Sequence, residues 1–106
     1  MLRADAPQLD AAAQAALQDA HMAHVADLHE PGHLLAVGPL LGPPERTFRG
    51  LAIFNVDVAQ ALRLKEQDPA VQAGRYTIMA MPWIVPAGAM SFPPVRLPRS
   101  MAEAEA

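Results

Sequence analysis

The first third of the chain repeats its apolar positions with the period of an α-helix. Between positions 9 and 30, four residues recur at helical intervals and share one face: Leu17, His21, Val25 and Leu28. Pro31-Gly32 follows directly, and glycine readily adopts the left-handed conformation in which many helices end. The pattern therefore predicts a helix over residues 9–30, with Asp10 as its N-cap.

Three later apolar runs predict β-strands. Residues 33–40 and 51–56 have the length and content of strands, and the Pro-rich residues 41–50 between them indicate a hairpin loop. Two strands this close in sequence are expected to pair antiparallel. The run over residues 76–85 predicts a further strand, with Pro82 restricting that part of it to an edge or a bulge.

A second helix is predicted to begin at Asp57, because Asp57 and Gln60 have the spacing of a capping box. It should end at residues 67–68, since a residue before proline avoids the helical conformation. The elements then follow the order of a βαββαβ plan without its first strand. Residues 1–86 are predicted to form the domain, and the Pro-rich residues 87–106 an extended or disordered tail.

Composition narrows the classes of function. The 106 residues carry a net charge of −3, contain no cysteine and include a single lysine, Lys65. One domain fits this length, and thiolate chemistry and disulfides are excluded. Without a basic cluster we expect no nucleic-acid partner, and without an apolar run of about 20 residues or a signal pattern we expect no membrane span. The expected location is the cytoplasm.

Four stretches carry a resemblance to a known family: AHMAHVADLHEPGHLLAVGPL at 20–40, GLAIFNVD at 50–57, QDPAVQAGRY at 67–76, and Pro82-Trp83. In this order and spacing they resemble the YCII-related (YciI-like) domain family. The resemblance implies an α+β, ferredoxin-like (βαββαβ) domain that pairs through its sheet into a dimeric α/β barrel. Family members usually begin with an apolar strand, whereas this sequence starts at Met1-Leu2-Arg3, so most of that strand is expected to be missing.

The resemblance also implies a site built from a helix histidine and a carboxylate, which fall by position on His21 and Asp68. A sheltered imidazole can accept and donate a proton near neutral pH. On periodicity alone, His21 is equally interpreted as a packed core residue. Asp68 precedes a proline and has a structural interpretation as a helix terminator, beside its interpretation as the partner of His21. Arg49 and Arg75 are candidate substrate anchors for an anionic group.

These residues favour a cofactor-independent acid–base enzyme of isomerase, lyase or hydrolase type, acting on a small organic molecule through His21 and Asp68. The alternative is a non-catalytic dimeric module that binds a small molecule or serves another protein. A metal site is the weakest hypothesis, and we expect neither metal nor cofactor, because the four histidines lack the spacing of a zinc motif. A homodimer is expected, since the face of the sheet without helices would expose three apolar side chains: Met79, Met81 and Trp83.

Overall fold

The computed structural model describes residues 1–93 and 95–105. Its elements are α1 (Ala11–His29), β1 (Leu34–Pro39), β2 (Gly50–Phe54), α2 (Val58–Glu66), α3 (Pro69–Gln72) and α4 (Met101–Glu105). The strands β1 and β2 pair antiparallel. The predicted α+β class is therefore confirmed, whereas the ferredoxin-like order and the dimeric barrel stay predictions.

The boundaries of α1 follow from local chemistry. The Asp10 side chain accepts a hydrogen bond from the backbone N–H of Ala13 at 2.7 Å, which satisfies one of the free donors at the start of the helix. Beyond the last turn, Gly32 has a φ of +91°, a conformation that other residues adopt only with strain. The predicted cap and the predicted end of this helix are both confirmed.

The core lies between α1 and the hairpin. Leu34 is fully buried and packs against Val25 and Leu28, two of the residues that the helical period placed on one face. Val37 and Ala52, which face each other across the two strands, pack against the same cluster. The inner face of the hairpin therefore holds α1 in place.

The second helix, α2, begins and ends where the sequence indicates. Asp57 accepts the backbone N–H of Gln60 at 2.8 Å, but the Gln60 side chain accepts from Arg63 instead of returning to the cap. The helix ends at its C-cap Gln67. The next residue, Asp68, immediately caps α3, and this short helix packs against α1.

The strand predicted over residues 76–85 is wrong. Only Tyr76 takes part in β pairing, through a single antiparallel bridge to Leu2, and the described residues beyond it form no strand. A strand forms only where a neighbouring segment binds its backbone N–H and C=O groups along its length. That neighbour is the short segment Met1–Arg3, which hydrogen-bonds Thr77 on one side and Thr47 on the other.

The tail remains close to the domain. Its described residues up to Ser100 form no helix or strand, and they lead into α4, which the sequence pattern does not indicate. Leu97 packs against the core cluster, and Arg99 forms ion pairs with Asp27 on α1 and with Glu30, the C-cap of that helix. The division into a domain and a tail stays a prediction. None of the described helices is both long and apolar enough to cross a membrane.

Candidate functional site

Helix α1 presents His21 toward α3 rather than toward bulk water. The His21 side chain is 30% exposed, and its Nδ1 lies 2.7 Å from Oδ2 of Asp68. The same helical face supplies Val25 and Leu28 to the core. The helical repeat that places Val25 and Leu28 in the core therefore also places His21 on the same face of α1.

Asp68 is the most deeply buried polar group described. Its side chain is 1% exposed, yet both carboxylate oxygens have partners. Oδ1 accepts the backbone N–H of Ala70 at 2.9 Å, and Oδ2 accepts from Lys65 Nζ at 3.1 Å in addition to its contact with His21. The pre-proline position explains this geometry, because the extended backbone of Asp68 turns its side chain onto the start of α3.

These partners determine the charge of Asp68. Burial alone would raise the pKa of the carboxyl, but the hydrogen bond with His21, the charge of Lys65 and the Ala70 N–H outweigh burial and lower the pKa to about 2. Asp68 is therefore a carboxylate at neutral pH. A carboxylate can only accept hydrogen bonds, so the proton between the two side chains belongs to His21 Nδ1.

The remaining ring nitrogen is the reactive one. With Nδ1 bound to Asp68, a neutral His21 carries its lone pair on Nε2. Among residues 1–93 and 95–105, Nε2 of His21 has no hydrogen-bond partner, and part of the side chain reaches solvent. The arrangement is therefore that of a carboxylate-oriented imidazole with a free proton acceptor.

Sequence analysis missed Lys65 as a member of this site. It lies in the last turn of α2, three residues before Asp68, with a side chain that is 12% exposed. The spacing was the available signal, because residues three apart at a helix end are neighbours. Its direction toward a buried carboxylate depends on how α2 turns into α3, which spacing alone does not give.

The two arginines predicted as substrate anchors are occupied elsewhere. Arg49 donates to the carbonyl oxygens of Arg46 at 3.0 Å and Pro44 within the hairpin loop. Arg75 donates to the carbonyl oxygen of Pro7 at 3.0 Å and lies over the ring of Tyr76. Neither has a hydrogen bond to His21 or Asp68, and their role as anchors stays a prediction.

The other helix histidines are bound to backbone. His24 Nε2 lies 3.0 Å from the carbonyl oxygen of Leu64, and His29 Nδ1 lies 2.9 Å from that of Leu34. In the part of the chain that the structure describes, no three His, Asp or Glu side chains are placed to hold a metal ion.

Two surface cavities lie apart from this cluster. One of about 400 Å³ lies between the end of α1 and the tail and includes His29 and Phe92, and the other, of about 240 Å³, lies on the hairpin and includes Val37 and Ile53. Neither is lined by His21 or Asp68. The His21 side chain is partly exposed to solvent.

Comparison with known proteins gives one result. A family model described as the YCII-related domain matches residues 1–83, which is most of the chain and includes His21, Lys65 and Asp68. No curated protein and no solved structure gives a significant match.

Proposed function

We propose that this chain, which belongs to the YCII-related domain family, is a cofactor-independent acid–base enzyme of isomerase, lyase or hydrolase type that acts on a small organic molecule. The observation that carries the proposal is the 2.7 Å contact between the half-buried imidazole of His21 and the buried, ionised carboxylate of Asp68. A buried carboxylate beside an imidazole is the arrangement that orients a general base.

The chemistry proceeds through Nε2 of His21. Its lone pair accepts a proton from the substrate, and the positive charge that forms on the ring lies against Oδ2 of Asp68. The Ala70 N–H holds the other oxygen of Asp68, so the carboxylate need not move as the charge appears. The imidazolium then returns the proton to another substrate atom or to a leaving group. Isomerisation and elimination use this sequence, and hydrolysis uses it with the first proton taken from the attacking water instead of the substrate.

A non-catalytic binding module is the second candidate. The observation that favours it is the position of the cavities, since neither includes His21 or Asp68. The cavity on the hairpin is lined mainly by apolar side chains, including Val37 and Ile53. In this function the contact between His21 and Asp68 would only fasten α3 to α1.

We also propose that two copies associate through the sides of their sheets that carry no helix. Exposed apolar side chains support this association: Leu51 in β2, and Met79, Met81 and Trp83 in the segment after the bridge at Tyr76, each more than half exposed. Exposed apolar area of this kind marks an interaction surface.

His21→Gln tests the enzyme proposal. Glutamine forms helices well and keeps a hydrogen-bond donor toward Asp68, but it cannot shuttle a proton. Turnover, measured on a panel of small lactones, keto acids and esters, is expected to fall by a factor of about 10² or more. Asp68→Asn should also lower turnover, because it keeps the shape of the cap and removes the charge.

His33→Gln is the matched control, since His33 is exposed and lies outside the cluster. It should keep the turnover of the unmodified protein. A His21→Gln protein that melts at a lower temperature but turns over substrate normally would contradict the enzyme proposal and leave the binding module.

A further inference from the structure

Lys65 and His21 share a single oxygen atom. Lys65 Nζ lies 3.1 Å and His21 Nδ1 lies 2.7 Å from the same Oδ2 of Asp68. The other oxygen of the carboxylate is taken by the Ala70 N–H. Asp68 thus faces one permanent cation, Lys65, and one group, His21, that is cationic only when it binds a second proton.

Because Lys65 and His21 share Oδ2 of Asp68, either of them can balance the charge of the carboxylate. A buried carboxylate without another cation would favour the imidazolium, because an unpaired buried charge is costly. An imidazolium has no lone pair and cannot accept a proton from a substrate. Lys65, on α2, supplies a positive charge that balances the Asp68 carboxylate instead. Because the Lys65 side chain is largely buried, water screens this charge only weakly.

The other groups around the cluster do not replace Lys65. The Met1 amino group is another potential cation, and its pKa is lowered by burial and by the charge of Lys65. It donates to the carbonyl oxygen of Thr77 rather than to Asp68. His24, one turn along α1, is directed at the carbonyl oxygen of Leu64. Among the described residues, Lys65 is therefore the one cation other than His21 in contact with Asp68.

We infer that Lys65 is a positioning residue of this site, whose ammonium shares Oδ2 of Asp68 with His21 and balances the carboxylate, so that the imidazole need not be charged to do so. This role for Lys65 rests on the proposed function. The effect of the Lys65 charge on His21 can nevertheless be measured without a substrate. Lys65 acts through Asp68, because the hydrogen bond that Lys65 makes in this site goes to Oδ2 of Asp68.

Side-chain ¹⁵N NMR of the full chain tests the inference. The spectrum reports which ring nitrogen of His21 carries a proton and the pH at which the ring gains its second one. Lys65→Met should raise the midpoint of this titration by about one pH unit, because it removes a cation close to the shared carboxylate. Lys65→Arg keeps the charge and should stay near the unmodified protein.

Two further variants separate charge from shape. Lys65→Gln keeps a donor but loses the charge, so it should shift the His21 midpoint in the same direction as Lys65→Met. Should Lys65→Met fail to fold, the comparison of Lys65→Gln with Lys65→Arg decides the question. Arg63→Met removes an exposed cation of α2 that binds Gln60, and it should leave the midpoint within about 0.3 unit.

The inference would be overturned if the midpoint of the His21 titration were unchanged in both Lys65→Met and Lys65→Gln. It would also be overturned if the midpoint shifted in Lys65→Met but not in Lys65→Gln, because that pattern indicates that the hydrogen bond of Lys65 matters and its charge does not. Failure of the proposed function is visible separately, as normal turnover in His21→Gln. The NMR result would still stand in that case, as a charge balance without a reaction.

Discussion

The carboxylate of Asp68 joins three segments of the chain. Its oxygens bind His21 of α1, Lys65 of α2 and the first turn of α3 through Ala70. A buried carboxylate is tolerated only when such partners replace the water it loses. Removing Asp68 outright would therefore disturb fold and chemistry together, and conservative variants are needed to separate the two.

The stability of the protein should depend on pH through Asp68. Its pKa of about 2 in the folded chain lies below its ordinary value of 3.8, so ionisation stabilises the fold above about pH 4. This contribution, about 2 kcal/mol, is lost as the pH falls from about 4 toward 2. Urea unfolding at pH 6 and pH 2.5 measures it.

Asp68→Asn is the control for that measurement. Its free energy of unfolding should change less between the two pH values, because asparagine keeps the cap but does not titrate. Equal losses in the two proteins would show that other carboxylates, and not Asp68, cause the acid sensitivity.

Single residues show where the sequence is informative about the site. The helical period places His21 on the inner face of α1, and the following proline makes Asp68 a cap. Their contact spans 47 positions along the chain, and it depends on how α3 crosses α1. That crossing depends on contacts between segments far apart in the sequence, so the spacing of residues identifies the two groups but does not give the distance between them.

The sequence predicts elements with local causes correctly, whereas the strand predicted over residues 76–85, whose pairing depends on a distant segment, does not form. The caps Asp10 and Asp57 and the residues after each helix lie within a few positions of the structure that they determine. The hairpin also forms between neighbours in sequence. The run over residues 76–85 has the composition of a strand, but its pairing depends on the distant segment Met1–Arg3, which binds it only as far as Thr77.

Gly32→Ala should destabilise the end of α1. The φ of +91° is unfavourable for any residue with a Cβ, whereas a Cβ built at this position meets no atom within 4 Å. The expected loss is therefore conformational, about 1–2 kcal/mol in the free energy of unfolding. Urea or thermal unfolding followed by circular dichroism measures it.

Gly38→Ala provides the comparison. Gly38 lies in β1 with no positive φ, and a Cβ there also meets nothing within 4 Å. Its stability should match or slightly exceed that of the unmodified protein. A Gly32→Ala protein as stable as Gly38→Ala would show that α1 does not need a left-handed residue at its end.

The molecule as a whole buries few large side chains and exposes many. Leu34, Val25 and Leu28 form the buried core cluster of the described residues. Exposed large apolar side chains are far more numerous, and the segment from Met79 to Val85 is rich in them. An apolar surface of this extent is costly in water, and association is the usual way to cover it.

We therefore expect a dimer in solution. Met79, Met81 and Trp83 lie close together in sequence and are each more than half exposed, so one partner surface can cover them together. Sedimentation at micromolar concentration should give a dimer for the unmodified protein. Met81→Glu should shift it to a monomer, because a carboxylate buried in an apolar interface has no partner, whereas Met90→Glu, in the tail, should remain dimeric. A stable monomer of the unmodified protein at this concentration would rule out association through this surface, and the exposed side chains would then need another occupant.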